Sequence, residues 1–244
     1  MISELNFYPA KVLGAAGDGS KSKFPLALKI FGPGTDKRAI YALRYRAFLD
    51  IGVITPRSDA LFFDRYDDLE TAYTIGAFSS GVCVGSFRLT FGTGTAGSNT
   101  MPCQSVFTEV AQLEADGFAN LVEFTRMVVA PELSNTSFRT TLYAALVRAG
   151  LIVAHAARAD YGLISVHPDL VRFYGAMCGF RSLARSESYP GINAPAVLMG
   201  RNFRALDQKR TKQNPFFRIA PAEIASARAT LFSPSTSVPE VALA

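Results

Sequence analysis

The chain has 244 residues, 49% of them hydrophobic and 18% charged, which excludes disorder over most of its length and suits one large domain or two small ones. Three scattered cysteines without a CxxC pair and only two histidines exclude a disulfide scaffold, a zinc knuckle and a His-rich metal site. The net charge of +5 divides unevenly, −2 over residues 1–137 and +7 over residues 138–244, so an acidic partner would face the second half.

In chain order, residues 1–23 read as loop, with a flexible Gly/Ser/Lys run at Gly14–Lys23. Phe24–Phe31 reads as a strand closed by Gly32-Pro33-Gly34, and Thr35–Asp50 as a helix capped by Thr35 with Ile40, Leu43, Ala47 and Phe48 on one stripe. Ile51–Asp68 is a polar loop. Glu70–Ser79 and Val82–Phe91 form a hairpin about Ser79-Ser80-Gly81, ended by the glycine-rich Gly92–Ser98. Pro102–Asp116 reads as a helix stopped by Gly117, and Leu121–Ala130 as a strand. A long helix follows at Phe138–Arg158, then a strand at Tyr161–Val166 and a helix at Pro168–Cys178 with Gly179 past its end. Arg181–Tyr189 and Ala196–Phe203 close the sheet, and a loosely held tail runs from Pro221. This order predicts an α/β (α+β) single domain over residues 24–220, a central mixed, mostly antiparallel sheet flanked by helices. The N-terminus lacks a basic region followed by an apolar core, and the longest apolar stretch, around residues 142–157, is broken by Arg148 and His155. The expectation is a cytoplasmic protein with no stable membrane insertion.

Four groups of residues carry charge where the pattern calls for apolar side chains. Arg44 and Phe48 lie one turn apart on a helix face. Asp64 and Asp67, two carboxylates three apart, are open to three readings: holding an amine, capping a strand or standing solvated. Arg88 sits inside an apolar strand and so requires a carboxylate opposite it. In Glu123-Phe124-Thr125-Arg126, a regular strand puts Glu123 and Thr125 on one face and Arg126 on the other, and a bulge would change that. Charges in a run this apolar are costly unless paired or functional.

As a set, Arg44 and Phe48, Asp64 and Asp67, Arg88-Leu89, Phe107, and Glu123 with Arg126 resemble the R-x-x-x-F, D-x-x-D, R-L, Phe and E-x-[ST]-R pattern of the acyl-homoserine-lactone (autoinducer) synthases, over roughly residues 40–130. Two positions depart from it: the chain has no tryptophan, and Phe62 stands where that family has an acid two residues before D-x-x-D. Further on, Phe138-Arg139, Val166-His167-Pro168, Arg172-Phe173-Tyr174, Cys178-Gly179-Phe180 and the stretch Tyr189–Leu198 resemble the sister family of long-chain N-acyl amino acid synthases, extending the likeness to about residues 37–203. Both belong to the general N-acetyltransferase superfamily, which implies an acyltransferase-like domain. The glycine-rich pyrophosphate loop of ordinary acetyltransferases is missing between Pro131 and Arg139. Ser134, Thr136, Ser137 and Arg139 stand there instead, a set suited to the single phosphate of a phosphopantetheine arm.

The resemblance implies an N-acyltransferase that takes a long-chain acyl group from acyl carrier protein, with no tightly bound cofactor and no metal, and passes it to the α-amine of an amino acid. No G-x-S-x-G and no Cys–His pair offers a covalent nucleophile, so direct attack of the amine on the thioester is preferred. Glu123 is the expected base, with Arg126 beside it at the reacting centre. Arg44, Arg88 and Arg126 would clamp the substrate carboxylate or hold Asp64 and Asp67, and Phe48 and Phe107 would line substrate pockets. The alternatives are a homoserine-lactone synthase using S-adenosylmethionine and an inactive module that binds acyl carrier protein. A nucleic-acid partner is not expected, because the basic residues do not interleave with aromatics.

Overall fold

The computed structural model describes residues 2–5, 26–93, 99–205 and 218–232. Eight strands form one sheet: β1 (Ile2–Leu5), β2 (Leu26–Phe31), β3 (Ala72–Ser79), β4 (Val82–Phe91), β5 (Leu121–Val129), β6 (Tyr161–Val166), β7 (Arg181–Ser186) and β8 (Ala196–Asn202), in spatial order β1-β2-β3-β4-β5-β6-β8-β7. Among the described residues the helices are α1 (Arg38–Asp50), α2 (Glu109–Ala115), α3 (Thr136–Ala156), α4 (Val171–Cys178) and α5 (Pro221–Leu231). The β3–β4 hairpin turns on Ser80 and Gly81, both at positive φ, which matches the twist of the strands it joins.

Every neighbouring pair of strands is antiparallel except β5 and β6. A parallel pair needs a crossover, and α3 supplies it. β5 and β6 pair only from Leu121–Phe124 against Tyr161–Ile164, so the sheet opens into a cleft beyond Phe124. Helix α3 lies so close to the sheet that a Cβ on Gly150 would stand 2.5 Å from the Phe87 ring. Its stripe of Leu142, Leu146 and Val153 is fully buried, worth about 1.5–3 kcal/mol per side chain. Helix α1 buries Ile40, Leu43, Arg44, Ala47 and Phe48, a helical stripe in which Arg44 is the one charged residue.

The mixed, mostly antiparallel sheet predicted from the sequence is present, with four differences in its parts. Thr35 does not cap α1; its hydroxyl turns back to the Gly32 carbonyl, while the Asp36 carboxylate accepts from the Arg38 N–H. The helix expected at Pro102–Asp116 is broken into a 3₁₀ turn at Pro102–Ser105 and α2, because Phe107 drops into the core between them. Within the N-terminal segment expected as loop, Ile2–Leu5 completes the sheet edge on β2; four residues are too few to display strand alternation. Within the tail, Pro221 begins α5, which packs Ala227 against Ile152 and Ala156 and pairs Glu223 with Arg148 at 2.8 Å. The expected flexible run at residues 14–23, residues 94–98 of the glycine-rich segment and the end of the tail lie outside the described residues. Among the described residues no helix is long and apolar enough to cross a membrane.

Candidate active site

Three of the anticipated charge groups meet between α1 and the sheet. Asp64 and Asp67 bracket a 3₁₀ turn, where the Asp64 carboxylate accepts from the Tyr66 N–H and Asp67 from the Asp64 N–H. This reciprocal box aims both carboxylates at the arginines. Arg44 donates to Asp67 at 2.7 Å, and Arg88 reaches Asp64 at 2.6 Å and Asp67 at 3.0 Å. Arg44 and Arg88 have no exposed surface. Lys37 Nζ donates to the Asp67 carbonyl, and Arg88 Nε to the Thr125 hydroxyl. Burial alone would raise the carboxylate pKa values, but Arg88 with Arg126 at Asp64, and Arg44 with Arg88 at Asp67, hold both below the ordinary range.

The fourth group depends on a bulge. Ser86 pairs with Val128 and Arg88 with Thr125, so β5 carries one residue more than β4 between those points. Arg126 sits there with φ at +56°, a left-handed conformation costly for a residue with a Cβ. The kink turns Arg126 toward the side of Thr125, where its Nη2 meets Asp64 at 2.6 Å. The alternation of a regular strand would have sent it to the opposite face. Arg126 lies over the Phe62 ring at 4.9 Å and donates to the Pro190 carbonyl, yet its Nη1 is buried with no hydrogen-bond partner. Burial and the adjacent Arg88 lower its pKa. Three guanidiniums face two carboxylates, and the buried Lys37 ammonium beside them adds to the positive excess.

Glu123 is fully buried in a network of its own. Its carboxylate accepts from the Cys103 N–H at 2.8 Å, the Ser165 hydroxyl at 3.1 Å and the Tyr189 hydroxyl at 2.5 Å. Burial raises its pKa, opposed by these donors and by the charge of Arg88. Burial and the Glu123 carboxylate push the Tyr189 phenol well up.

Two cavities meet where β5 and β6 part. The smaller, about 230 Å³, is walled by Phe48, Phe124, Arg126, Ser165 and Tyr189 among others. The larger, about 450 Å³, runs between α3 and α4 along Thr136, Arg139, Tyr143, Phe173 and Met177. Met127, Leu170 and Tyr174 border both. The Tyr174 hydroxyl bonds the Tyr143 hydroxyl.

The anticipated residues divide accordingly. Arg44, Asp64, Asp67, Arg88 and Arg126 share one ion cluster; Phe48 and Arg126 wall the smaller cavity, and Thr136 and Arg139 the larger. Ser134 and Ser137 are exposed and border neither, and Asn135 is the residue that caps α3, through the Phe138 N–H. Phe107 lies in a buried core with Met101, Leu121 and Leu198 and borders neither of these cavities, since the broken helix turns it inward. Sequence reasoning missed Ser165 and Tyr189 as partners of Glu123, and Tyr174 as the junction. Tyr189 opens the stretch Tyr189–Leu198, already singled out by resemblance, and that was the only signal pointing to it. Among the described residues no cluster of His, Cys, Asp and Glu has the makings of a metal site.

A family model described as N-acyl amino acid synthase FeeM matches residues 39–202. FeeM itself, an N-acyl amino acid synthase from uncultured soil microbes, superposes with a TM-score of 0.61 at 22% identity over 75% of this chain and 93% of that one. TofI, solved in a ternary complex with an inhibitor and MTA, gives 0.53 at 15% identity over 80% and 98%. BjaI, a CoA-dependent acyl-homoserine lactone synthase solved with SAM and isopentyl-CoA, gives 0.50 at 16% identity over 79% and 90%. At these identities the structures establish a shared fold. No protein of curated function matches the chain.

Proposed function

The chain belongs to the N-acyl amino acid synthase family and is an N-acyltransferase, and from that premise we propose that it moves a long-chain acyl group from acyl carrier protein to the α-amine of an amino acid by direct attack on the thioester. The observation that carries the acceptor is the unpartnered Nη1 of Arg126, a residue on the wall of the smaller cavity in a cluster where cations outnumber carboxylates. An orphaned buried N–H of a cation is expensive, and a turn of the guanidinium toward the cavity that Arg126 borders would bring it to a substrate carboxylate. All three arginines hold an aspartate, but of the three only Arg126 keeps a guanidinium nitrogen without a partner. About 230 Å³ lies below the ~300–1,000 Å³ of drug-sized pockets and suits a compact amino acid better than S-adenosylmethionine. Phe62, in the position of an acid, lies behind the wall, edge-on to Phe48 and under Arg126, and brings no charge there to meet a sulfonium.

The larger cavity would hold the donor. Its walls are apolar along Phe173 and Met177, and at its mouth stand Arg139 and the α3 N-terminus, where a phosphate is favoured. The thioester would reach the junction near Tyr174, with backbone N–H groups on the open side of β5 after Arg126 meeting the oxyanion. Glu123 would take a proton from the attacking ammonium, and the Tyr174 phenol would return one to the leaving sulfur. Much of the positive charge in the second half is committed elsewhere: Arg148 to Glu223, Arg204 to Asp160, Arg201 to the Cys178 carbonyl and Arg228 to the Ala156 carbonyl. Arg139 and Arg172, exposed beside the donor cavity, remain for an acidic carrier.

Mass spectrometry of the lipid extract from an expressing bacterium tests the reading. N-acyl amino acids are the expected product. Acyl-homoserine lactones would move the acceptor to S-adenosylmethionine, and unmodified lipids alone would overturn the proposal. Purified protein given the same acyl chain on carrier protein and on coenzyme A identifies the donor.

A further inference from the structure

The Glu123 carboxylate is sealed from the reaction space. It has no exposed surface, and it borders neither cavity. A general base must lie within about 2.6–3.2 Å of the proton it takes, or be linked to it by an intermediary. The groups bonded to Glu123 therefore define every route a proton can follow. One is the Cys103 N–H, a backbone amide that holds its proton. The Cys103 thiol also touches the carboxylate, but it is fully buried in the closed core around Phe107 and leads nowhere. Two remain, the hydroxyls of Tyr189 and Ser165, and both residues wall the smaller cavity. Both hydroxyls donate to the same oxygen, Glu123 Oε1, so they are two parallel routes that end on one carboxylate atom.

We propose that the Tyr189 phenol, seconded by Ser165, is the proton relay that joins the acceptor amine in the smaller cavity to Glu123. The proposal rests on the aminolysis reading above. In it, a lone pair of Tyr189 Oη accepts a proton from the ammonium while the phenol's own proton passes to Glu123 Oε1. The freed amine forms the C–N bond to the thioester carbonyl. As the tetrahedral intermediate collapses, the C–S bond breaks with its electrons on sulfur, and a second nitrogen proton ends on that sulfur as the thiol. The third stays on the amide. When product leaves, the proton on Glu123 returns through Tyr189 to solvent, so the cycle releases one proton. Arg88 is the charge that acts on Glu123 from β4, and Tyr189, Ser165 and Cys103 complete the polar groups facing it.

Tyr189→Phe keeps the ring and removes the relay atom. With long-chain acyl carrier protein as donor and the proteinogenic amino acids as acceptors, its kcat should fall about 10²-fold or more, with KM for the acceptor little changed. Hydroxylamine, uncharged at neutral pH, needs no deprotonation before attack. Its acylation should therefore be far less affected in Tyr189→Phe and in Glu123→Gln. A structural role for Tyr189 would lower both reactions together, and that result would overturn the relay. So would full activity of Tyr189→Phe beside an inactive Glu123→Gln. If Tyr189→Phe does not fold, Ser165→Ala reads the same split between acceptors at smaller amplitude. A folded wild-type protein that acylates hydroxylamine but no amino acid would overturn the aminolysis reading itself, an outcome distinct from failure of the relay.

Discussion

Two sets of buried charge lie side by side in this molecule. In one, under α1, every charged group is answered: Arg44 by Asp67, Arg88 by both aspartates. In the other, at the cleft, a carboxylate is held above its ordinary pKa and a guanidinium has an N–H with no partner. Asp64 belongs to both, since it holds Arg126 as well as Arg88. The lesson is that burial of charge does not by itself mark function. A saturated cluster fixes geometry, here by pinning the loop around Asp64 and Asp67 to β4, and the chemistry falls to the groups left short.

The largest effect expected from this contrast is at Glu123. Glu123→Gln should lower kcat for amino-acid acylation by about 10²–10⁴-fold while the protein stays folded. The pH dependence of stability sharpens the point, because the two sets act with opposite sign. Asp64 and Asp67, held below the ordinary 3.8, favour the folded state fully above that value, and the contribution is lost as pH falls through their folded pKa values. Glu123, held above 4.5, binds its proton more tightly when folded, so it costs stability as pH rises from 4.5 through its folded pKa. Melting temperatures across this range should therefore rise more steeply toward neutral pH in Glu123→Gln than in the wild type. A shallower rise would remove the distinction between the two sets.

Asp67→Ala comes next and should act on the fold. It strips the direct carboxylate partner from a fully buried Arg44, a loss of about 3–5 kcal/mol, set against a total of about 5–15 kcal/mol for a typical domain. Urea unfolding measures it. A change below about 1 kcal/mol would mean that water reaches Arg44 and that the cluster is not the rigid frame described.

How much of this was legible beforehand differs between the two sets in the same way. Arg88 inside an apolar strand demanded a carboxylate, and Asp64 and Asp67 were among the residues named, because pairing of buried charge follows from composition and strand pattern. The β3–β4 hairpin and α3 were equally plain, since alternation and the helical stripe are local. The bulge was not. A left-handed Arg126 leaves no trace in residue type, and without it alternation sends Arg126 to the wrong face. The Glu123 partners were hidden for another reason: Ser165 and Tyr189 lie 42 and 66 residues away along the chain, joined only by the sheet. Phe107 was misread because the break between the 3₁₀ turn and α2 is set by packing, which overrides local propensity. Helix α5 was missed because its contact stripe is built of small residues such as Ala227.

Arg126→Lys tests the shortfall at the cleft directly. Lysine keeps a charge for Asp64 but loses the fork that leaves Nη1 free. KM for the amino acid should rise about 10–100-fold, the worth of a charged hydrogen bond. An acceptor of the same shape lacking its carboxylate should be used poorly by the wild type and lose little further in the variant. Equal losses for both acceptors would assign Arg126 to the frame rather than to the substrate.

The smallest effect is expected at the donor mouth, where charge is exposed and therefore screened. Arg139 borders the larger cavity from α3, and its Nη1 is braced by the Leu133 carbonyl. Arg139→Ser should raise KM for acyl carrier protein about two- to fivefold at low salt, leave kcat alone, and become hard to detect once the Debye length shrinks to a few ångströms. The comparison with coenzyme A thioesters then separates two roles. A contact to the pantetheine phosphate would weaken both donors, whereas a contact to the carrier's acidic surface would weaken only the carrier. A fall in kcat approaching that of Glu123→Gln would break the contrast from the other side, because an exposed cation would then be doing the work assigned to the sealed network behind Tyr189.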